Sequence, residues 1–168
     1  MGATPPTVIT VTHVSVSITG ANLQNVDPSA MQNLLFTACK PPDWSIEAPP
    51  FVYHGNKGAP ETVIPAVMQP KYGTLTLTQG WDPNHVLASW MNLISDPTKA
   101  ITDKKANVTV VFMDSTNAAL FQWAGTGALL TSFSHSASDA NSNAVLMINA
   151  TISADTWQLQ GSSGGTPL

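Results

Sequence analysis

The chain has 168 residues, a net charge of −4 and 43% hydrophobic residues, enough for one domain with a real core: at this size about 70% of the extended-chain surface is buried on folding. Only 10% of its residues are charged, against roughly 25% in an ordinary soluble domain, so copies repel one another weakly: either much of the surface is covered by other subunits, the favoured expectation, or the protein works where neutral polar surfaces suffice. Six Lys plus Arg without a basic cluster exclude specific nucleic-acid binding, the lone Cys39 excludes an intrachain disulfide, and no apolar stretch approaches the ~20 residues of a membrane span.

The N-terminus, Met1-Gly2-Ala3-Thr4-Pro5-Pro6, has no basic stretch followed by an apolar run, so no signal peptide is expected. Pro6 stands where a myristoylation motif takes Ser or Thr. A soluble protein made in the cytoplasm is the expectation. Residues 8–19 read as a long β-strand of high β-branched content. Its apolar phase changes from Ile9 and Val11 to Val14, Val16 and Ile18, which a bulge or bend near His13 would reconcile. Asp27-Pro28-Ser29 is a helix start, and Met31, Leu34, Leu35 and Ala38 follow at helical spacing, predicting a short helix that ends before Pro41-Pro42.

Residues 41–70 are rich in proline, with short strands possible at Trp44–Glu47 and Phe51–Tyr53 on either side of Pro49-Pro50. Irregular excursions of that length are usually functional. A strand over 72–79 alternates Thr74, Thr76 and Thr78 with Leu75 and Leu77. The clearest helix comes next, with Asp82 as N-cap, Pro83 in the first turn and Val86, Leu87, Trp90, Leu93 and Ile94 as one apolar stripe. Residues 107–113 and 118–124 form a hairpin around the turn Asp114–Asn117, residues 127–135 give another strand, and a polar loop from Ser136 to Asn143 leads to a long last strand. The tail 161–168 has linker composition. Strands dominate, and a lone amphipathic helix must bury its stripe on a sheet or in a barrel mouth. The fold class is therefore mainly β, a sandwich or barrel carrying one amphipathic helix, as a single domain over 1–160.

No chemistry converges in the sequence. His13, His54, His85 and His135 lie on different elements without metal-ligand spacing. No Gly-x-Ser-x-Gly elbow occurs, and Gly55-Asn56-Lys57-Gly58 is too short for a phosphate loop. Asp82 reads as a cap and Asp114 as a turn residue. No cofactor, metal or catalytic residue is expected, and the chain is read as a non-enzyme. A carbohydrate-binding or adhesive β-sandwich fits the low charge equally well, but would be expected to expose aromatic residues.

The segment Lys71-Tyr72-Gly73-Thr74-Leu75-Thr76-Leu77-Thr78-Gln79-Gly80-Trp81, an Asp-Pro-started helix containing Trp90, the turn Asp114–Asn117, the strand Phe121-Gln122-Trp123 and the final strand from Ala144 to Leu159 together resemble the phage tail-tube family. That family is similar in fold to type VI secretion inner-tube proteins. The resemblance runs from about residue 71 to 160, while residues 21–44 look inserted, leaving open a tube initiator or terminator ring. It implies the inner tube of a contractile injection system, built of stacked, six-membered rings with a lumen lined by β-strands. It further implies sheath, baseplate and cap partners, a cargo or tape-measure protein in the lumen, and a place in a phage-tail-like particle. The neutral, hydroxyl-rich positions Thr74, Thr76, Thr78, Thr151 and Ser153 are the candidate lumen lining, unless they pack under a neighbour or meet a sheath. Trp44, Phe51, Val52 and Tyr53 are the candidate inter-subunit anchors on a stiff arm spanning 41–70 that would join one ring to the next, unless it folds over its own subunit.

Overall fold

The computed structural model describes residues 11–21, 28–32, 34–47, 50–53, 62–65, 69–80, 82, 84–136 and 146–161. Among them the strands are β1 (His13–Thr19), β2 (Leu34–Phe36), β3 (Ala38–Lys40), β4 (Trp44–Glu47), β5 (Pro50–Tyr53), β6 (Thr62–Pro65), β7 (Gln69–Tyr72), β8 (Leu75–Gln79), β9 (Ala106–Met113), β10 (Ala119–His135), β11 (Ile148–Ser153) and β12 (Thr156–Gly161). The helices are α1 (Val86–Ser95) and α2 (Ile101–Lys104). The body is one antiparallel sheet in the order β2-β1-β9-β10-β11-β8-β3, with β12 also paired to β10. β2 and β3 stand at opposite ends of this order, yet only Thr37 separates them in the chain. The sheet therefore curls until its edges approach at that corner, where the Thr37 N–H donates to Thr78 O at 2.9 Å. It does not close into a barrel. A mainly β fold with one main helix is thus what the sequence folds into.

Alternation places the core. Val14, Val16 and Ile18 on β1, Val108, Val110 and Phe112 on β9, Leu75 and Leu77 on β8, and Ile148, Ala150 and Ile152 on β11 all point inward and are buried. α1 lies against β10 and adds Val86, Leu87 and Trp90, each fully buried. Burying side chains of this size contributes about 1.5–3 kcal/mol each. The Trp90 indole N–H donates to Lys104 O at 2.9 Å, and Lys104 Nζ returns a bond to Ile94 O, also 2.9 Å, so α2 closes the C-terminal end of α1.

The predicted helix after Pro28 is replaced by a single 3₁₀ turn (Pro28–Met31) followed by β2 and β3. The helical spacing of Met31, Leu34, Leu35 and Ala38 is overridden because β1 and β8 each offer an unpaired edge, which residues 34–36 and 38–40 fill. Leu35, counted in the helical stripe, is left 66% exposed as a result. The main helix begins at Val86 instead of beside Asp82, with His85 in a left-handed conformation (φ 50°) just before it. Asp82 still does the capping from a distance, accepting the Val86 N–H at 2.7 Å and the Asn84 N–H at 3.0 Å. Pro83 lies outside the described residues, as does Ile9, on which the expected phase change rests. From His13 to Thr19, β1 runs in unbroken register with β9.

The segments 118–124 and 127–135, expected as separate strands, are one 17-residue strand, β10. Its first half lies between β9 and β12, and its second half pairs with β11. The expected long last strand is broken instead, at Ala154-Asp155, into β11 and β12. Opposite that break sits a bulge in β10 with Gly127 at φ 64°. The Asp155 N–H donates to Thr126 O at 3.0 Å, and Asp155 Oδ2 pairs with Lys105 Nζ at 2.6 Å.

Candidate functional site

Two surfaces gather the residues singled out in the sequence. The first is the solvent face of β3, β8, β11 and the second half of β10. Thr76 and Thr78 alternate with buried Leu75, Leu77 and Gln79, while Asn149, Thr151 and Ser153 alternate with buried Ile148, Ala150 and Ile152. Register aligns them in rows: Lys40, Thr76, Thr151 and Ser132 form one, and Ala38, Thr78, Asn149 and Ser134 the next. The Thr78 hydroxyl donates to Asn149 Oδ1 at 2.9 Å, tying the second row together. Four of the five proposed lumen residues, Thr76, Thr78, Thr151 and Ser153, therefore share one face. Thr74 does not join the ladder; it is exposed in the two-residue link between β7 and β8. Ser132, Ser134 and Asn149 complete the face, and their own alternation, Ser132-x-Ser134 and Asn149-x-Thr151, was the available signal. Lys40 is the one charged residue in these rows, and it faces Asp43 at 3.6 Å in an exposed pair.

The second surface is the arm. Its described residues form two short ladders: β4 pairs with β7 from Trp44↔Tyr72 to Glu47↔Gln69, and β5 pairs with β6 from Pro50↔Pro65 to Tyr53↔Thr62. Because pairing alternates, Trp44 and Ile46 share a face with Tyr72 and Pro70, while Ser45 and Lys71 occupy the other. Trp44 is 60% and Ile46 57% exposed. Phe51, Val52 and Tyr53 lie on β5, a strand expected from the sequence. Ile46 was not singled out, although the Trp44-x-Ile46 alternation marks it.

At the arm's root the Gly73 N–H donates to Asp43 O at 2.6 Å, and a Cβ on Gly73 would sit 3.0 Å from that same oxygen. This close approach favours glycine, since a Cβ would press on the Asp43 backbone. A pocket of about 220 Å³ opens there, lined by Asp43, Trp44, Ser45, Lys71, Tyr72 and Gly73. Among the described residues no three His, Cys, Asp or Glu side chains gather where they could hold a metal ion. No described helix is long and apolar enough to cross a membrane. Burial pushes the Cys39 thiol up to about 12, keeping it protonated.

The same fold occurs in three solved structures. One is described as the anti-feeding prophage baseplate, six-fold symmetrised (16% identity over 97% of this chain and 100% of that one, TM-score 0.66). The second is the sheath-tube complex of the extracellular contractile injection system PVC in its extended state (20% identity, 92% of both chains, TM-score 0.62). The third is Hcp1 from Flavobacterium johnsoniae (15% identity, 94% of this chain and 98% of that one, TM-score 0.56). No curated protein matches the chain by sequence. The family model of the T4-like virus tail tube protein gp19 matches residues 20–158, from just after β1 into β12 and so across the rest of the sheet, the arm and α1, and the chain belongs to that tail tube family.

Proposed function

We propose that the chain is the structural subunit of the inner tube of a phage-tail-like contractile injection system, assembling into stacked six-membered rings that act as a passive conduit. The observation that carries this reading is the tail tube family match over residues 20–158. Three features support it. The low charge suits surfaces that meet other copies. The face bearing Thr76, Thr78, Thr151 and Ser153 is hydroxyl-rich, so as a lumen wall it offers a sliding cargo or tape-measure protein neither strong charge nor apolar grip. The six-fold symmetry of the baseplate structure with the same fold favours six subunits per ring.

In this reading residues 1–160 form one domain, which the pairing of Gly161 with Phe121 extends by one residue, and the arm at 41–70 docks on the next ring. The arm's exposed Trp44 and Ile46 supply its apolar contact. Sheath, baseplate and cap proteins of the same machine are the partners, and assembly takes place in the cytoplasm before the subunit becomes part of the particle. The role is structural and non-catalytic. Negative-stain imaging and light scattering of the purified protein test this directly, with rings or tubes as the expected outcome. A clean monomer at high concentration, with sheath and baseplate proteins present, overturns it.

A further inference from the structure

The arm leaves the sheet without a slip in register. The last body pair on that edge is Lys40↔Thr76, and the first arm pair is Trp44↔Tyr72. Three residues lie between them on each strand, 41–43 on one and 73–75 on the other. The β3–β8 ladder and the β4–β7 ladder are therefore two lengths of one pair of strands. The interruption falls at Pro41-Pro42, which have no N–H to give to a ladder. Pairing resumes directly beyond the prolines, where the Gly73 N–H donates to Asp43 O at 2.6 Å.

Both strands are pinned where they cross this gap. Leu75 is fully buried and pairs with Ile152, so the returning strand is anchored in the core one residue after Thr74. On the outgoing strand Pro42 is buried and Pro41 half-buried. Each proline ring fixes its own φ at about −65°, and a proline also restricts the residue before it to extended backbone. Lys40 and Pro41 both stand in that preceding position. Asp43 is held by Gly73, whose missing side chain lets the two backbones approach. Among residues 41–43 and 73–75, Thr74 alone is exposed without such a constraint. Little freedom is left for the arm to swing on the body.

We propose that Pro41-Pro42 and Gly73 form a locked root that sets the arm's direction before rings meet, so that the arm docks as a preformed strut. This rests on the reading that the arm joins one ring to the next. When two six-membered rings stack, six arms must be aligned at once, and any freedom to swing would be lost six times over. A preset direction removes that loss. The lock concerns direction at the root; a two-stranded ladder still opens often enough to exchange its amides quickly.

Spin-label distances test the proposal. In a Cys39→Ala background, Ser45→Cys on the arm and Asn107→Cys on the body carry the labels at exposed positions, with labelled subunits diluted in unlabelled ones. Unstacked rings should give a single narrow distance peak that stays in place in tubes. A Pro41→Gly, Pro42→Gly double variant should broaden the peak, keep the wild-type ring yield and raise the concentration at which rings stack at least about tenfold. If the double variant loses ring yield, Pro41→Gly alone, at the half-buried position, takes its place. A broad distribution in unstacked wild-type rings, a peak that moves on stacking, or a glycine variant that stacks at the wild-type concentration overturns the proposal and leaves the docking reading standing. Trp44→Ser, Ile46→Ser rings that stack as wild type, or a wild-type chain that forms no tubes, overturn the docking reading and this proposal together.

Discussion

At the junction between β11 and β12, Gly127 holds φ 64° and the Asp155 carboxylate occupies the space its Cβ would need. Two independent penalties meet there, a left-handed backbone and a steric conflict, so Gly127→Ala should destabilise the fold by about 1–3 kcal/mol in urea titration. The Lys105–Asp155 pair beside it is partly exposed, so Lys105→Met should cost under about 1 kcal/mol and much less at high salt. Other carboxylates act at turns. Asp114 is held below the usual carboxylate range by the Thr116 hydroxyl and then by the Ala118 and Thr116 N–H groups, and Asp96 by the Thr98 hydroxyl and N–H. Their lowered values mean that the stability they contribute is present above the ordinary unfolded value, near ~4, and lost as pH falls through the folded values. Carboxyl titration by NMR should find both below the unfolded value, and Thr116→Val should bring Asp114 back up. The roles of Asp82 and Asp114 could be read in the sequence because caps and turns are local. Gly127 could not, since its requirement comes from a residue 28 positions away in the chain.

Elements whose partners are near in sequence were legible, and those completed by distant partners were not. The hairpin of β9 and β10 and the stripe of α1 follow from local pattern alone. Residues 34–40 carry a helical pattern but become strands because β1 and β8, both remote, offer them hydrogen-bond partners. The arm misled in the other direction. Its prolines suggest irregular chain, yet a two-stranded ladder needs only one paired edge per strand, so Pro50, Pro65 and Pro70 are tolerated within the described ladders. With β4 and β7 holding each other, the apolar pair Trp44 and Ile46 is not needed to keep the subunit folded. A Trp44→Ser, Ile46→Ser double variant should therefore unfold within about 0.5 kcal/mol of wild type, while stacking of rings into tubes is lost. Hydrogen exchange offers a second measure, since amides in 44–64 should exchange quickly in single rings and become protected in tubes. Equal protection in both states would assign the arm to its own subunit.

Across the whole molecule, charge is sorted by surface. Of the chain's six lysines, three (Lys99, Lys104 and Lys105) fall in the short stretch around α2, Lys71 is on the arm strand β7, Lys40 is on β3 at the edge of the hydroxyl-rich face, and Lys57 lies outside the described residues. Both solvent faces of the curled sheet are left almost uncharged. Two neutral faces with different neighbours are what a tube subunit requires, one toward the lumen and one toward adjoining protein. Alternation along each strand was readable in the sequence, whereas the grouping of strands into two faces depends on the curl at Thr37 and the bulge at Gly127. Substitution can separate the faces. Thr76 and Thr151 are cross-strand neighbours, so changing both to lysine would set like charges directly opposite and perturb the sheet itself; each must be changed alone. On the proposed reading they line the lumen clear of any neighbour, and the Thr76→Lys and Thr151→Lys rings should then form in wild-type yield. Six new positive charges would then line the bore at one level, well hydrated and mutually screened at physiological salt, where the Debye length is about 8 Å. Assembly would survive and passage would change, with an anionic probe retained and a neutral one unaffected. Loss of rings in either variant would instead show that this face packs against another subunit or a sheath, and would move the lumen to a different surface of the molecule.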